Sequence, residues 1–179
     1  MMKGESRVES QESRVEGRGT PDPRLQTLDY PLCTMKILVI HGPNLNMLGK
    51  RDQSLYGSKT LEEVNSLLQE QGKELDLDVV PFQSNHEGTI IDFIQSESPQ
   101  AAGIIINPGA LTHYGFSLRD ALADTGLPVI EVHLSNIHAR EEFRQKSVIA
   151  PIARGQISGL GWQGYTAALK ILAGQVKGI

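Results

Sequence analysis

The stretch Met35-Lys36-Ile37-Leu38-Val39-Ile40-His41-Gly42-Pro43-Asn44 decides the fold. Its apolar run, Ile37 to Ile40, reads as a strand buried on both faces, the pattern of a parallel sheet. A polar Gly-Pro-Asn turn closes it. The same figure recurs twice: Ile104-Ile105-Ile106 runs into Asn107-Pro108-Gly109, and Pro128-Val129-Ile130 runs into Glu131-Val132-His133-Leu134. In an open parallel α/β sheet, ligands bind outside the carboxyl ends of the strands. If these runs are neighbours, Asn44, Asn107, Glu131 and His133 converge on one crevice, which is the first indication of an enzyme.

Working outward, strands and helices alternate from Met35 onward. Strands are expected over 36–41, 78–83, 103–107, 128–133 and 156–160. Thr60 with Glu63 forms a capping box at the start of a helix that carries Leu61, Val64, Leu68 and Leu75 at roughly helical spacing. Further helices are expected over 87–96, 117–124 and 163–176, with a short charged helix over 139–145. Pro81 places the second strand at an edge or a bulge. Such alternation implies right-handed crossovers and a parallel sheet covered on both faces. Five strands suggest a flavodoxin-like three-layer α/β sandwich of order 2-1-3-4-5, whose switch point lies between the first and third strands.

The chain has 179 residues, 39% hydrophobic and 21% charged, with a formal charge of -4, ordinary globular usage without the basic footprint of a nucleic-acid binder. No apolar run reaches the roughly 20 residues that span a bilayer. The one cysteine, Cys33, excludes an intrachain disulfide and a thiol-rich metal site. A reducing compartment, most simply the cytoplasm, follows. Residues 1–34 stand apart. They are polar, and Glu5-Ser6-Arg7-Val8-Glu9 is repeated as Glu12-Ser13-Arg14-Val15-Glu16. This part reads as a disordered N-terminal extension before a catalytic domain over 35–179. Met35 directly precedes the first strand, so an upstream mis-assigned start codon is one reading of the extension. A transit peptide fits poorly, because acidic residues match the basic ones.

Glu131 and His133 alternate along a strand and therefore share a face. The carboxylate can fix the tautomer of the imidazole, and a histidine so held can protonate a leaving hydroxyl. The competing reading is a structural ion pair at the sheet rim; Asn107 on the adjacent strand favours the functional one. Asn44 and Asn107 either form turns or donate to an oxyanion or a hydroxyl. The loop Lys50-Arg51-Asp52-Gln53-Ser54-Leu55-Tyr56-Gly57 is either a solvated loop or a lid. As a lid, it brings Arg51 to Tyr56, and an arginine lowers a phenol's pKa from its reference value of roughly 10 toward that of a usable base. His113 contacts a ligand or caps the next helix. Arg140 and Arg144, four apart, share a face of the short charged helix. His41 and His86 read as structural or peripheral, and His138 as part of a turn.

Gly42-Pro43-Asn44 is not a dinucleotide fingerprint. The sequence has no P-loop, no metal-ligand spacing and no nucleophile elbow, so chemistry done by side chains alone, without metal or cofactor, is expected.

The motifs His41-Gly42-Pro43-Asn44-Leu45-Asn46, Gly49-Lys50-Arg51, Tyr56-Gly57, Gln83-Ser84-Asn85-His86-Glu87-Gly88, Asn107-Pro108-Gly109-Ala110-Leu111-Thr112-His113, Leu118-Arg119-Asp120-Ala121, Glu131-Val132-His133-Leu134-Ser135-Asn136 and His138-Ala139-Arg140-Glu141-Glu142-Phe143-Arg144 together resemble type II 3-dehydroquinate dehydratases, from about Met35 to about Val176. The resemblance implies anti elimination of water from 3-dehydroquinate to give 3-dehydroshikimate, in the shikimate route to aromatic amino acids. It implies Tyr56 as the base at C2, activated by Arg51, and Asn44 as holder of a water that stabilises the enolate. His133, oriented by Glu131, would protonate the leaving hydroxyl. Asn107, His113 and Arg144 would bind substrate hydroxyls, the amides of Leu134 and Ser135 its carboxylate, and Arg140 would support lid and cleft. It further implies a homododecamer, a tetramer of trimers, in which Asp120 reaches a neighbouring subunit's site. Tyr114-Gly115-Phe116 departs from some members at the trimer contact. The rival readings are a flavodoxin-like module that holds FMN or a phosphate group without catalysis, and a scaffold that uses the extension to interact.

Overall fold

The computed structural model describes residues 34–50 and 57–178. The expected N-terminal extension lies outside the described residues except for Thr34, and so does the centre of the expected lid, with Arg51 and Tyr56. In chain order the elements are β1 (Met35–His41), α1 (Leu61–Glu74), β2 (Leu77–Gln83), α2 (Glu87–Glu97), β3 (Ala101–Asn107), α3 (Phe116–Asp124), β4 (Val129–His133), β5 (Gly155–Ser158) and α4 (Gln163–Lys177).

The strands form one parallel sheet of order β2-β1-β3-β4-β5. Order and helical layers both agree with the flavodoxin-like expectation. Strand parity builds the two outer layers. Ile37, Val39, Ile105, Ile130 and Val132 pack with Val64 and Leu68 of α1 and with Leu169 and Leu172 of α4. Leu38, Ile40, Ile104, Ile106 and Val129 pack with Ile90 and Ile94 of α2 and with Leu118 and Leu122 of α3. Pro81 lies in β2, an edge strand paired only to β1, so its missing N–H costs the sheet nothing on the open side.

Local chemistry explains the helix starts. The Thr60 hydroxyl accepts from Glu63 N at 3.2 Å, and the Glu63 carboxylate accepts from Thr60 N at 2.7 Å. α3 has no side-chain cap of its own; Glu87 of α2 supplies one, accepting from Leu118 N at 3.1 Å. Two expectations are corrected. The fifth strand ends at Ser158 rather than at residue 160, because Gly159, at φ 86°, turns the chain away. The helix expected over 139–145 does not form. Two 3-10 turns, Ile137–Ala139 and Glu142–Arg144, flank an extended Arg140 at φ -103°, ψ -171°. So short a segment cannot recover the cost of helix nucleation, and the Gln145 side chain instead donates to the Arg140 carbonyl at 2.9 Å.

A polar cluster around His41 lies within the α1/α4 layer. His41 has no exposed surface. Its Nε2 faces Asn65 Oδ1 at 2.9 Å, and its Nδ1 faces the Tyr165 hydroxyl at 2.9 Å. The amide oxygen can only accept, so Nε2 carries the hydrogen and Tyr165 donates to Nδ1. The structural reading of His41 holds. Burial holds its pKa down to about 4 against the opposing effect of the Asn65 bond, and burial pushes the Tyr165 phenol up.

Two expectations about stability follow. An unfolded His41 takes its proton near 6.5, the folded one near 4. Its contribution is therefore complete above pH 6.5, is lost as pH falls toward 4, and does not change further below that. Across that window His41→Gln should lose roughly 3 kcal/mol less stability than the parent in urea unfolding; parallel pH profiles would refute this. Gly42 sits where β1 and β3 come together: its N–H donates to Asn107 O at 2.8 Å, and an added Cβ would fall on the Pro108 carbonyl oxygen. Gly42→Ala should cost about 1–3 kcal/mol and distort both ligand-facing loops, measured by the denaturation midpoint.

Candidate active site

A cavity of about 200 Å³ opens at the carboxyl ends of β1, β3 and β4. It collects Asn44, Asn107, His113, His133, Leu134, Ser135, Arg140 and Arg144 in its wall, so eight of the predicted site residues meet there. Glu131 lies directly behind His133. Asp120 does not line it; it is exposed on α3 and paired with Arg119 at 3.1 Å. Arg51 and Tyr56 fall outside the described residues.

β4 places Glu131 and His133 on the α2/α3 side of the sheet. Glu131 is completely buried and His133 nearly so. His133 Nε2 lies 2.8 Å from Glu131 Oε1. That carboxylate also accepts from the Thr112 hydroxyl, from Ser147 Oγ at 2.9 Å to each oxygen, and from Gln156 Nε2 at 2.9 Å. Burial alone would raise the Glu131 carboxyl, but the His133 bond and charge, with the Thr112 and Ser147 hydroxyls, outweigh it and hold the pKa below the usual range. Glu131 is an anion. An anion only accepts, so His133 Nε2 carries the hydrogen and Nδ1 is the nitrogen left for a ligand.

The other groups are held as firmly. Asn107 Oδ1 accepts from Gly109 N at 3.1 Å, and the same side chain also hydrogen-bonds the buried Tyr165 hydroxyl. Gly109 needs its φ of 59° for this turn. Asn44 adopts the left-handed conformation, φ 67°, and its N–H donates to Asn85 Oδ1 at 2.9 Å. His113 Nδ1 meets the Lys146 carbonyl at 2.8 Å. The turn at Leu134 and Ser135 is pinned through its carbonyls, to Gly161 N at 3.0 Å and Ser158 Oγ at 3.2 Å. Arg140 and Arg144 do not share a helix face, contrary to expectation. Both instead reach Glu141 Oε2, at 3.7 and 3.4 Å.

Thr112, Ser147 and Gln156 were not singled out from the sequence as partners of Glu131. Gln156 was within reach, because parallel register sets it beside Glu131; a buried carboxylate demands donors at its own level on the next strand. Ser147 arrives through an irregular loop that leaves no periodic trace. The phosphate-module alternative finds no support among the described residues after β1. In the loop after β1, the N–H groups of Asn44, Leu45, Met47 and Leu48 are already bonded within the protein, so they form no phosphate cradle.

The chemistry assembled is a hydrogen-bonded Glu–His pair behind a small polar cleft with amide donors and two guanidinium groups. That is suited to general acid–base work on a small oxygen-rich molecule. Comparison with known proteins agrees. The family described as Dehydroquinase class II matches residues 35–173. The 3-dehydroquinate dehydratase of Roseiflexus castenholzii is 62% identical over 140 residues, 78% of this chain and 89% of that protein. The one from Halothermothrix orenii is 55% identical over 142 residues, 79% and 96%. The crystal structure of type II dehydroquinase from Butyrivibrio crossotus superimposes with a TM-score of 0.75 at 49% identity, covering 77% of this chain and 97% of that one. With sequence, fold and cleft in agreement, this chain belongs to the class II dehydroquinase family.

Proposed function

We propose that this chain dehydrates 3-dehydroquinate to 3-dehydroshikimate and water by anti elimination. The observation that carries this reading is the buried Glu131 anion bonded to His133 at 2.8 Å on the wall of the cleft. A leaving hydroxyl needs a proton delivered in the transition state, and an imidazolium whose Nε2–H is held by Glu131 delivers it from Nδ1. The pathway role is the shikimate route, as the names of the relatives imply.

In this reading Tyr56, as the phenolate that Arg51 stabilises, removes the proton at C2. The electrons move into the ketone to give an enolate. Asn44 holds the water that donates to the enolate oxygen. The enolate then expels the C1 hydroxyl, which leaves as water with a proton from Nδ1 of His133, the acid being the imidazolium whose Nε2–H stays bonded to Glu131. The proton gained at Tyr56 and the one lost at His133 equilibrate with solvent, so the balance is substrate to product plus water. Asn107, His113 and Arg144 bind hydroxyl groups, and the amides of Leu134 and Ser135 hold the carboxylate. Arg140 supports the lid and the electrostatics of the cleft. Asp120, exposed on α3, serves a neighbouring copy in a dodecamer built as a tetramer of trimers. Residues 1–34 form an extension outside the catalytic domain of 35–179, and the enzyme works in the cytoplasm.

Mixing the protein with 3-dehydroquinate tests the reading directly; the ultraviolet absorption of the conjugated enone should grow, and a flat trace sinks it. Tyr56→Phe should nearly abolish turnover while the circular dichroism stays that of the parent. Arg51→Ala should lower turnover and move the basic group's titration upward. His133→Ala should cost about 100- to 10,000-fold in kcat, the usual worth of a positioned acid. Full activity in the Tyr56 or His133 variant removes that residue from the mechanism.

A further inference from the structure

Residues 146–150 bond to both cleft histidines or to their partners. The Lys146 carbonyl accepts from His113 Nδ1 at 2.8 Å. Ser147 Oγ donates to Glu131 and accepts from Ile149 N at 3.0 Å and Ala150 N at 2.8 Å. Val148 N donates to Thr112 O at 2.8 Å, which ties this segment to the residue before His113. From the other side, Gln156 of β5 donates to Glu131 Oε2.

A carbonyl cannot donate, so His113 bears its hydrogen on Nδ1 and turns Nε2 to the ligand. An ionised carboxylate cannot donate either, so His133 bears its hydrogen on Nε2 and turns Nδ1 to the ligand. The two imidazoles are therefore set in opposite tautomers by one segment. Ser147 also passes the dipoles of two backbone N–H groups to Glu131, and bonded chains of this kind strengthen each other. Each donor spreads the carboxylate charge. A Glu131 with fewer donors would hold the His133 proton more tightly and release it less readily to a leaving group.

We propose that Ser147 and Gln156 are positioning residues that fix the tautomer and set the acidity of His133, and that residues 146–150 fix the complementary tautomer of His113. The proposal rests on the reading of His133 as the proton donor. Among the described residues, the other ionisable groups that line the cleft with His133 are His113 from the turn after β3 and Arg140 and Arg144 from the segment after β4; the two arginines share Glu141. β3 and β5 contribute neutral Asn107, Gln156 and Ser158 at this level. On the opposite layer, β1 and α4 contribute neutral His41 and Tyr165.

Solid-state 15N spectra of histidine-labelled protein, assigned by difference against His133→Asn and His113→Asn, read the tautomers without any substrate. At a pH where both rings are neutral, the parent should show Nε2–H for His133 and Nδ1–H for His113. Ser147→Ala should raise the His133 titration by about one unit. The corresponding limb of the kcat profile should move with it, with kcat about tenfold lower and KM changed less, a fraction of what a positioned acid supplies. Ser147→Thr, which keeps the hydroxyl, should restore both. Gln156→Met acts from β5 without touching residues 146–150. It should raise the His133 titration and leave His113 unchanged, and it decides the matter if the Ser147 variant fails to fold. An unmoved His133 titration in Ser147→Ala and Gln156→Met, or a neutral His133 in the parent that carries its hydrogen on Nδ1 instead of Nε2, overturns the proposal. Because the spectra need no 3-dehydroquinate, failure of the dehydration assay and failure of this proposal remain separate results.

Discussion

A carboxylate with no exposed surface, Glu131, organises the functional end of this molecule. Removing a charge from water is costly unless hydrogen bonds replace the lost solvent. Here four side chains replace it: Thr112 from the turn after β3, His133 from the same strand, Ser147 from the loop after β4, and Gln156 from β5. Satisfying one anion thus helps draw together three other parts of the chain. The cleft wall follows from that convergence, because Thr112 and Ser147 cannot reach Glu131 without bringing His113 and the segment before Ser147 to the pocket.

The opposite face of the sheet solves a related problem differently. His41 is as deeply buried as Glu131 but is kept neutral, its ring bonded to Asn65 and Tyr165. Its ring lies 5.2 Å from that of Tyr165 in a tilted arrangement. A neutral polar pair costs far less to bury than an ion, and it anchors α1 and α4 to the first strand just below the cleft. The two layers therefore divide the work. The α1/α4 side holds a neutral structural group, and the α2/α3 side holds the charge whose partner faces the ligand.

The sequence was most legible where one strand or one turn settles the matter. The apolar runs of β1 and β3 announce buried parallel strands, and the polar residues after them lie where such sheets bind ligands. The Thr60–Glu63 cap was readable because both partners lie within one turn. Pro81 marked an edge because the missing N–H leaves few alternatives. Legibility failed where distant residues compete with local preference. Residues 139–145 carry charges at helical spacing, yet Gln145 and the extended Arg140 give two separate turns. Ser147 has no local signature at all, since its role is set by a buried anion sixteen residues earlier in the chain. The cap that Glu87 provides to α3 is of the same kind, a bond between two helices.

The irregular segment after β4 also has a consequence for ligand capture. A regular helix would have held Arg140 and Arg144 one turn apart on a stiff face. Instead the two guanidinium groups lean on the exposed carboxylate of Glu141, at 3.7 and 3.4 Å. A solvent-facing pair such as Arg144–Glu141 is weak, about 0–1 kcal/mol, so little of it is lost when Arg144 turns toward an oxygen in the cleft. Glu131 and His133 behave in the opposite way, since a buried pair cannot be broken without stranding a charge. The fixed part of the site is thus the proton-handling part, and the adjustable part is the cationic rim. That separation suits a reaction in which proton transfer needs accurate geometry, while substrate entry and product release need contacts that form and break at low cost.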